Sequence, residues 1–499
     1  LLRPEAAAVV AALGRALDGS AARRLNRTQL RALNALRRVA ELATLPSGDA
    51  NFWPLGDGDA SRLAATLVPR LKIVGAAHDT SIATTRDTIR TCLGALFPRV
   101  ARPFSHAQSL VALLGPPRRK RRSTELFAAS DRGDAVRAVA LTFVDLARGH
   151  EDLRAPSLKA GADLVEALVA VDESSLDGAP DFEKAGAALQ DLADAGAWAP
   201  LLADADVGAL GAAPVVALLQ TLARDSDAAL RDGAARASRA FLAAAAAAAS
   251  HGKTWTAEWV ATTCLLPHVM GALELGDDGP RRAAVSALGA AAAKSSATFL
   301  APAVALKRFA NDNADLDLFE NVAHLQAHRR ARALKRAAAV FASGDLDDAA
   351  RRDAARFLLP LALQPLYDAR AQDALVKEAA ACVGVVASAL PWSRYGQLAK
   401  RLATVIENQA RLHERLSRPK ANSQQAPSGA ASRKEKPKFR DMQLQSSKAL
   451  EATFVAAFCH VLDNFHFLDG ADDAMDVEEE EDDDEEEEED AEEEEEEAD

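Results

Sequence analysis

The chain has 499 residues, more than a single hydrophobic core usually holds, which indicates several domains or an elongated repeat array. Hydrophobic residues make up 49% of it, but alanine supplies much of that share and aromatic residues only 5%. Ala, Leu and Arg favour helix, and runs with the strict alternation of a half-buried strand are missing. The composition therefore argues against a β-protein and predicts an all-α fold.

The net charge of −14 is the sum over two parts of the chain that have opposite signs. Residues 469–499 contain 24 of the 73 Asp and Glu residues and no Lys or Arg. The rest of the chain thus has 49 acidic residues against 59 Lys and Arg, a net charge of about +10. We expect a basic folded part followed by a disordered acidic tail. The tail could act as a solubilising segment, shield a basic groove of its own chain, or bind basic assembly proteins.

The cysteines and the apolar runs point away from disulfide, zinc and membrane proteins. The four cysteines, Cys92, Cys264, Cys382 and Cys459, are far apart and form no CxxC pair, so we expect buried hydrophobic thiols in a reducing compartment. The longest apolar run, 241–249, is far shorter than the ~20 residues of a membrane span. The start of the chain does not look like a signal peptide.

Amphipathic periodicity predicts about seventeen or eighteen helices, most of them about 14 to 25 residues long, that pair into hairpins. Several pairs share one pattern: a proline in the first helix, a turn with Asp, and a charged start to the second helix. This pattern occurs around Pro214, around Pro267 with Arg281-Arg282, and around Pro360. Its period of about 40 residues predicts an α-solenoid of HEAT/ARM-like hairpins over residues 1–416.

A proline-led basic cluster, the import-like cluster, lies in a predicted loop. It consists of Arg118, Arg119, Lys120, Arg121 and Arg122. Adjacent cations repel one another, so we expect them to be exposed. The cluster resembles a nuclear-import sequence; contact with RNA and a plain solvated loop are the alternatives.

Motifs for catalysis, cofactors or metals are weak throughout. His251-Gly252-Lys253-Thr254 lacks the first glycine of a phosphate loop and follows an alanine-rich helix rather than a strand. His324 and His328 are one helical turn apart, but no third metal ligand is evident. Trp255 and Trp259, four residues apart, indicate packing rather than base stacking. We expect no catalytic residue, cofactor, metal or small-molecule substrate, and hence no enzyme.

Residues 317–336 predict one long helix with a cationic and an apolar face. Arg329, Arg332, Lys335 and Arg336 fall within one arc, where they could contact RNA phosphates or an acidic partner. The alternative is the solvated face of an ordinary repeat helix. A different arc for packing holds Ala323, Ala327, Ala331, Leu334, Ala338 and Phe341. Carboxylates at Asp312, Asp315 and Asp317 suit the helix start.

After residue 416 the composition changes. Residues 417–440 are rich in Ser, Pro, Gln, Lys and Arg and predict a disordered basic linker. Residues 441–468 predict one further solenoid helix, and the acidic tail of 469–499 follows.

Several elements between residues 312 and 467 occur in a characteristic order. After the cationic helix, 357–361 begins a proline-containing helix that 365–368 closes, and Trp392-Ser393-Arg394-Tyr395 opens another. The segment ends in Phe465-His466-Phe467. As an ordered set these elements resemble the DRIM ("down-regulated in metastasis") family, the very large nucleolar HEAT-repeat proteins. Family chains are several times longer, and this one begins with Leu1, so we expect it to be an internal piece of a longer protein or a truncated gene model.

The resemblance implies a non-catalytic scaffold of the small-subunit processome, associated with the U3 small nucleolar ribonucleoprotein in the nucleolus. It implies that pre-ribosomal RNA and processome proteins are the partners, without a membrane. The alternative is a HEAT-repeat nuclear transport receptor for basic cargo, which should carry its acidic residues along the folded array rather than in a tail.

Overall fold

The computed structural model describes residues 12–13, 15–17, 27–43, 57–72, 80–100, 102–114, 129–153, 155–171, 180–202, 208–224, 227–250, 254–274, 278–368, 371–417 and 436–464. The α-helices are α1 (Arg27–Ala43), α2 (Asp57–Leu67), α3 (Thr80–Leu96), α4 (Pro103–Leu114), α5 (Ala129–Gly149), α6 (Pro156–Leu168), α7 (Phe182–Asp191), α8 (Gly208–Leu222), α9 (Ala228–Ser250), α10 (Thr254–Val260), α11 (Leu266–Leu273), α12 (Asp278–Lys294), α13 (Leu318–Val322), α14 (Ala327–Ala342), α15 (Asp348–Tyr367), α16 (Asp373–Ala387), α17 (Trp392–Ser417) and α18 (Lys436–Asn464). A 3₁₀ helix spans Ala301–Phe309, and a π-helical turn, Ala261–Leu265, joins α10 to α11.

The described residues are helical almost throughout. Backbone pairing of the β type is limited, among them, to the isolated bridges Val171–Pro180 and Ser296–Phe299. Helices pack on helices that are between one and a few places away along the chain: α8 lies on α6, and α12 lies on both α9 and α11. This serial packing confirms the predicted all-α helical solenoid. None of the described helices is long and apolar enough to span a bilayer.

The chain divides into two compact units, residues 1–379 and 380–499. In the second unit α17 packs along α18. Gly384 permits close contact with α18, because a Cβ atom there would lie 2.5 Å from the backbone oxygen of His460. Helix α18 starts at Lys436, inside the segment predicted as a linker, while 418–435 and the acidic tail of 469–499 lie outside the described residues.

Helix α15 begins earlier than the sequence predicted. We expected its start near Phe357, whereas the helix starts at Asp348 because the Asp347 carboxylate accepts a hydrogen bond from the Ala350 N–H at 2.7 Å. Pro360 and Pro365 are accommodated inside this helix, which ends at Tyr367. The residues before Phe357 are mostly Ala, Arg and Asp, so their helix carries no apolar stripe that would have revealed it.

Many aromatic side chains and three of the four cysteines are buried between these helices, while Phe104, Phe182 and Trp392 are exposed. Trp198 is fully buried, donates to the Leu192 oxygen at 2.9 Å, and lies 5.0 Å from the Phe241 ring. Cys92, Cys264 and Cys382 are buried as expected, and burial raises the pKa of Cys264 to about 12. Cys459 is exposed, which corrects the expectation that all four thiols are buried.

Two glycines allow α6 and α8 to cross at close range. A Cβ atom on Gly211 would lie 2.6 Å from the Ser157 oxygen, and one on Gly161 would collide with the Gly211 backbone. Real Cβ atoms do not approach backbone oxygens this closely. The helices can therefore pack at this distance only because both positions lack a side chain.

We expect Gly211→Ala to lower the free energy of unfolding of this region by about 1 to 3 kcal/mol, because the added methyl group forces two backbones apart. Thermal unfolding followed by circular dichroism measures the effect. The matched control is Gly186→Ala in α7, where a Cβ atom would meet nothing within 4 Å. That variant should be stabilised slightly, by up to about 1 kcal/mol, through helix propensity. Equal stability of the two variants would contradict the close crossing.

Candidate functional site

The segment predicted as one long cationic helix is two helices in the structure. Helix α13 ends at Val322 and helix α14 starts at Ala327, which corrects the prediction of an unbroken helix over 317–336. Between them the His324 ring interferes with the helical hydrogen-bond pattern: its Nδ1 accepts a hydrogen bond from the Gln326 N–H at 3.1 Å. The break turns α14 into a separate element that can pack in its own direction.

An Asn- and Asp-rich loop precedes these helices; we call residues 311–317 the Asx loop. Its own side chains fold it: the Asn311 N–H donates to the Asp317 carboxylate at 2.9 Å, and the Asp315 N–H donates to the Asn313 side-chain oxygen at 3.0 Å. The other Asp317 oxygen caps α13 by accepting from the Glu320 N–H at 2.8 Å, as the sequence predicted for a carboxylate at this helix start.

The Asn321 side chain fixes the Asx loop to α13. This side chain is only 4% exposed, and its amide donates to the Ala314 oxygen at 2.6 Å and to the Asp317 oxygen at 2.7 Å. A buried amide with both hydrogen bonds made holds a loop firmly, because breaking either bond leaves a polar group without a partner.

Two of the four predicted binding cations bind this loop instead of facing solvent freely. Arg329 forms an ion pair with the Asp315 carboxylate at 2.8 Å, and Arg336 donates to the Asp315 backbone oxygen at 2.6 Å. They lie seven residues apart, two helical turns, and so reach the same point of the loop. The expectation that all four cations are independent of local packing is therefore corrected for Arg329 and Arg336.

The other two predicted cations, Arg332 and Lys335, are exposed on α14. They occupy the outer side of a helix whose inner side is packed, since Ala331, Leu334 and Phe341 are buried. The Phe341 ring lies 5.8 Å from the ring of Phe309 on the 3₁₀ helix. The predicted apolar arc is thus present in these three residues, and Arg332 and Lys335 keep their charges available to a partner.

The sequence analysis did not identify a second group of cations as a candidate site. Arg281 and Arg282 in the first turn of α12 and Arg330 in the first turn of α14 line one cleft together with His324. The sequence analysis placed Arg281-Arg282 in the repeat pattern and grouped Arg330 with no partner. An Arg-Arg pair occurs near the start of both α12 and α14. Only short elements separate these two helices along the chain, and the recurrence of the pair was the signal available in the sequence.

Some predicted sites remain predictions. The import-like cluster of 118–122 lies outside the described residues, as does the acidic tail. Among the described residues, no group of three or more His, Cys, Asp or Glu side chains could hold a metal ion.

Trp259 is half-buried in α10. Trp392 is the first residue of α17, as expected for a helix start, and its ring stacks on Tyr395 at 5.8 Å while 58% of it stays exposed.

Comparison with protein-family models finds no model that matches this chain.

We expect Asn321→Ala to loosen the Asx loop, at a cost of about 1 to 3 kcal/mol, because the variant loses two hydrogen bonds of a buried side chain. Hydrogen–deuterium exchange should become faster in a peptide covering 313–317, since the loop would then be held mainly by exposed groups. The control is Glu320→Gln, which changes the neighbouring, exposed side chain. If the exchange of 313–317 is the same in Asn321→Ala as in the wild type, Asn321 does not anchor the loop.

Proposed function

We propose that the chain belongs to the DRIM family and serves as a non-catalytic scaffold of the small-subunit processome, in contact with pre-ribosomal RNA. The resemblance rests on the order of the elements between residues 312 and 467. The helical solenoid supports it, because stacked hairpins give a long surface on which several partners can be held without a catalytic centre. The nucleolus is the proposed compartment, with Arg118–Arg122 as its nuclear-import signal.

The observation that carries the RNA-binding part is the position of Arg332 and Lys335. Both are exposed on a helix whose opposite side is anchored in the core. Cations on a fixed helix can meet phosphates without further ordering of the backbone, and contacts to phosphates supply most of the affinity of sequence-independent RNA binding. The net positive charge of the chain outside 469–499 acts in the same direction.

Crosslinking in cells, followed by sequencing of the RNA attached to the protein, tests the proposed partner. The proposal expects fragments of the precursor of small-subunit ribosomal RNA, together with processome proteins in the same purified complex. Recovery of basic cargo proteins without ribosomal precursor RNA would instead indicate a transport receptor and would contradict the scaffold.

We expect the double variant Arg332→Gln/Lys335→Gln to bind RNA more weakly and with a smaller dependence on salt. If both side chains meet phosphates, the slope of log K against log salt should fall in magnitude by about 1.4 for single strands and about 1.8 for a duplex. Thermal stability should change little, because exposed charges contribute about 0 to 1 kcal/mol. Fluorescence anisotropy with a labelled RNA at four salt concentrations measures both quantities.

The matched control is Lys307→Gln/Arg308→Gln, which removes one lysine and one arginine charge that are also exposed, but from the 3₁₀ helix. A general effect of net charge would weaken both double variants to the same extent. Equal affinity and equal slope in the two variants would therefore exclude the α14 surface as the RNA contact.

A further inference from the structure

The cleft between the start of α12 and the turn before α14 has the dimensions and the charge of a site for a small anion. It has a volume of about 60 Å³ and is lined by Asp278, Arg281, Arg282, His324, Leu325 and Arg330. Pockets for drug-sized ligands begin at about 300 Å³, so this one admits a compact group and excludes a whole nucleotide.

Among the side chains that line the cleft, positively charged ones outnumber negatively charged ones. Asp278 is the lining carboxylate: it accepts a hydrogen bond from Arg281 and lies 3.9 Å from the Arg282 guanidinium. Arg330 donates to the neutral Gln364 amide oxygen at 2.9 Å. Among the lining side chains, three guanidinium groups thus accompany one carboxylate, and Arg330 is hydrogen-bonded to a group without charge.

The guanidinium group of Arg231 also lies against the start of α12. A Cβ atom on Gly279 would be 2.8 Å from the Cζ atom of Arg231, which projects from α9. Glycine at this position leaves the first turn of α12 open to the arginine. Side chains from three helices of the array, α9, α12 and α14, thus meet at the start of α12.

These arginines repel one another at short range. Arg281 is only 7% exposed, and burial lowers the pKa of its guanidinium from the ordinary value, with the Arg330 and Arg282 charges acting in the same direction. Asp278 and Asp368 raise this pKa but do not outweigh the other influences. Arginine nevertheless stays protonated in proteins, so the charges of Arg281, Arg282 and Arg330 remain in place to attract an anion.

The two helix starts and the His324 ring add to the positive potential of the cleft. Helices α12 and α14 have 17 and 16 residues and both begin beside the cleft, where the first turn of a helix carries partial positive charge. Gln326 precedes α14 without a side-chain cap. Because the Nδ1 atom of His324 accepts the Gln326 N–H, the neutral ring carries its proton on Nε2 and offers a donor.

We propose that this cleft holds one phosphodiester group of an RNA backbone. The inference rests on the proposed function for RNA as the partner, but it concerns residues other than Arg332 and Lys335. Guanidinium groups match the two non-bridging oxygens of a phosphate with parallel N–H donors, which a lysine cannot do. Leu325, 78% exposed at the rim, offers an apolar contact for the adjoining sugar or base.

The test compares variants of the full chain in binding a labelled single-stranded oligouridine. Arg282→Gln/Arg330→Gln should raise the Kd about tenfold and reduce the magnitude of the salt slope by about 0.7 for one lost phosphate contact. Arg281 is left unchanged because it is buried and paired. The matched control, Arg352→Gln/Arg356→Gln, removes two exposed arginines of α15 and should keep the wild-type slope.

A second variant tests geometry apart from charge. Arg282→Lys/Arg330→Lys retains both charges but loses the paired donors, so we expect a Kd between those of the wild type and the Gln variant with a salt slope close to the wild-type value. A thermal midpoint of the Gln variant equal to that of the wild type answers the objection that the Gln variant is misfolded.

Each remaining outcome is decisive. If the wild type binds RNA and the cleft Gln variant binds like its α15 control, the cleft inference is overturned while the proposed function stands. If the wild type does not bind RNA at all, the proposed function fails, and the RNA site fails with it. If instead a synthetic peptide of residues 478–497 binds the wild type but not the cleft Gln variant, and RNA does not compete, the occupant is an acidic protein segment and the inference is overturned.

Discussion

Asp315 is the point on which the arrangement of this surface depends, because two turns of α14 are tied to it. Its carboxylate pairs with Arg329 and its backbone oxygen accepts from Arg336, while the buried Asn321 holds the same loop from the other side. The exposed ion pair alone would contribute about 0 to 1 kcal/mol. Its structural effect is greater because the loop is already fixed by buried hydrogen bonds, so the pair orients the helix instead of ordering two free chains.

With α14 in this orientation, its cations fall into three groups that differ in the contacts they make. Arg329 and Arg336 face the Asx loop, where the Asp315 carboxylate neutralises Arg329 and the Asp315 backbone oxygen holds Arg336 in place. Arg330 enters the cleft beside Arg281, where repulsion favours an added anion. Arg332 and Lys335 remain in solvent and can attract a polyanion from a distance that shrinks as the salt concentration rises. A single helix thus combines a structural contact, one side of the cleft that we propose as an anion site, and an open electrostatic surface.

Periodicity and composition predicted what is local: the helical class, the apolar arc of Ala331, Leu334 and Phe341, and the capping role of Asp317. They did not predict the break at His324, because a ring nitrogen that accepts a backbone N–H leaves no trace in the hydrophobic pattern. The pairing of Arg329 with Asp315 spans a helix break, and the cleft joins α12 to α14 across more than forty residues. Such contacts depend on how hairpins stack, which one sequence does not specify. Sequence periodicity therefore located the cationic helix but assigned its charges to one surface where the structure has three.

The most direct measurement of the central claim, that this cationic region contacts RNA, is photochemical crosslinking of the full chain to single-stranded RNA with sequencing of the modified peptides. The account predicts nucleotide adducts within 323–336 and within 278–282, and their loss when inorganic polyphosphate competes. Adducts confined to other parts of the chain, such as the import-like cluster of 118–122, with none in these two segments, would contradict it.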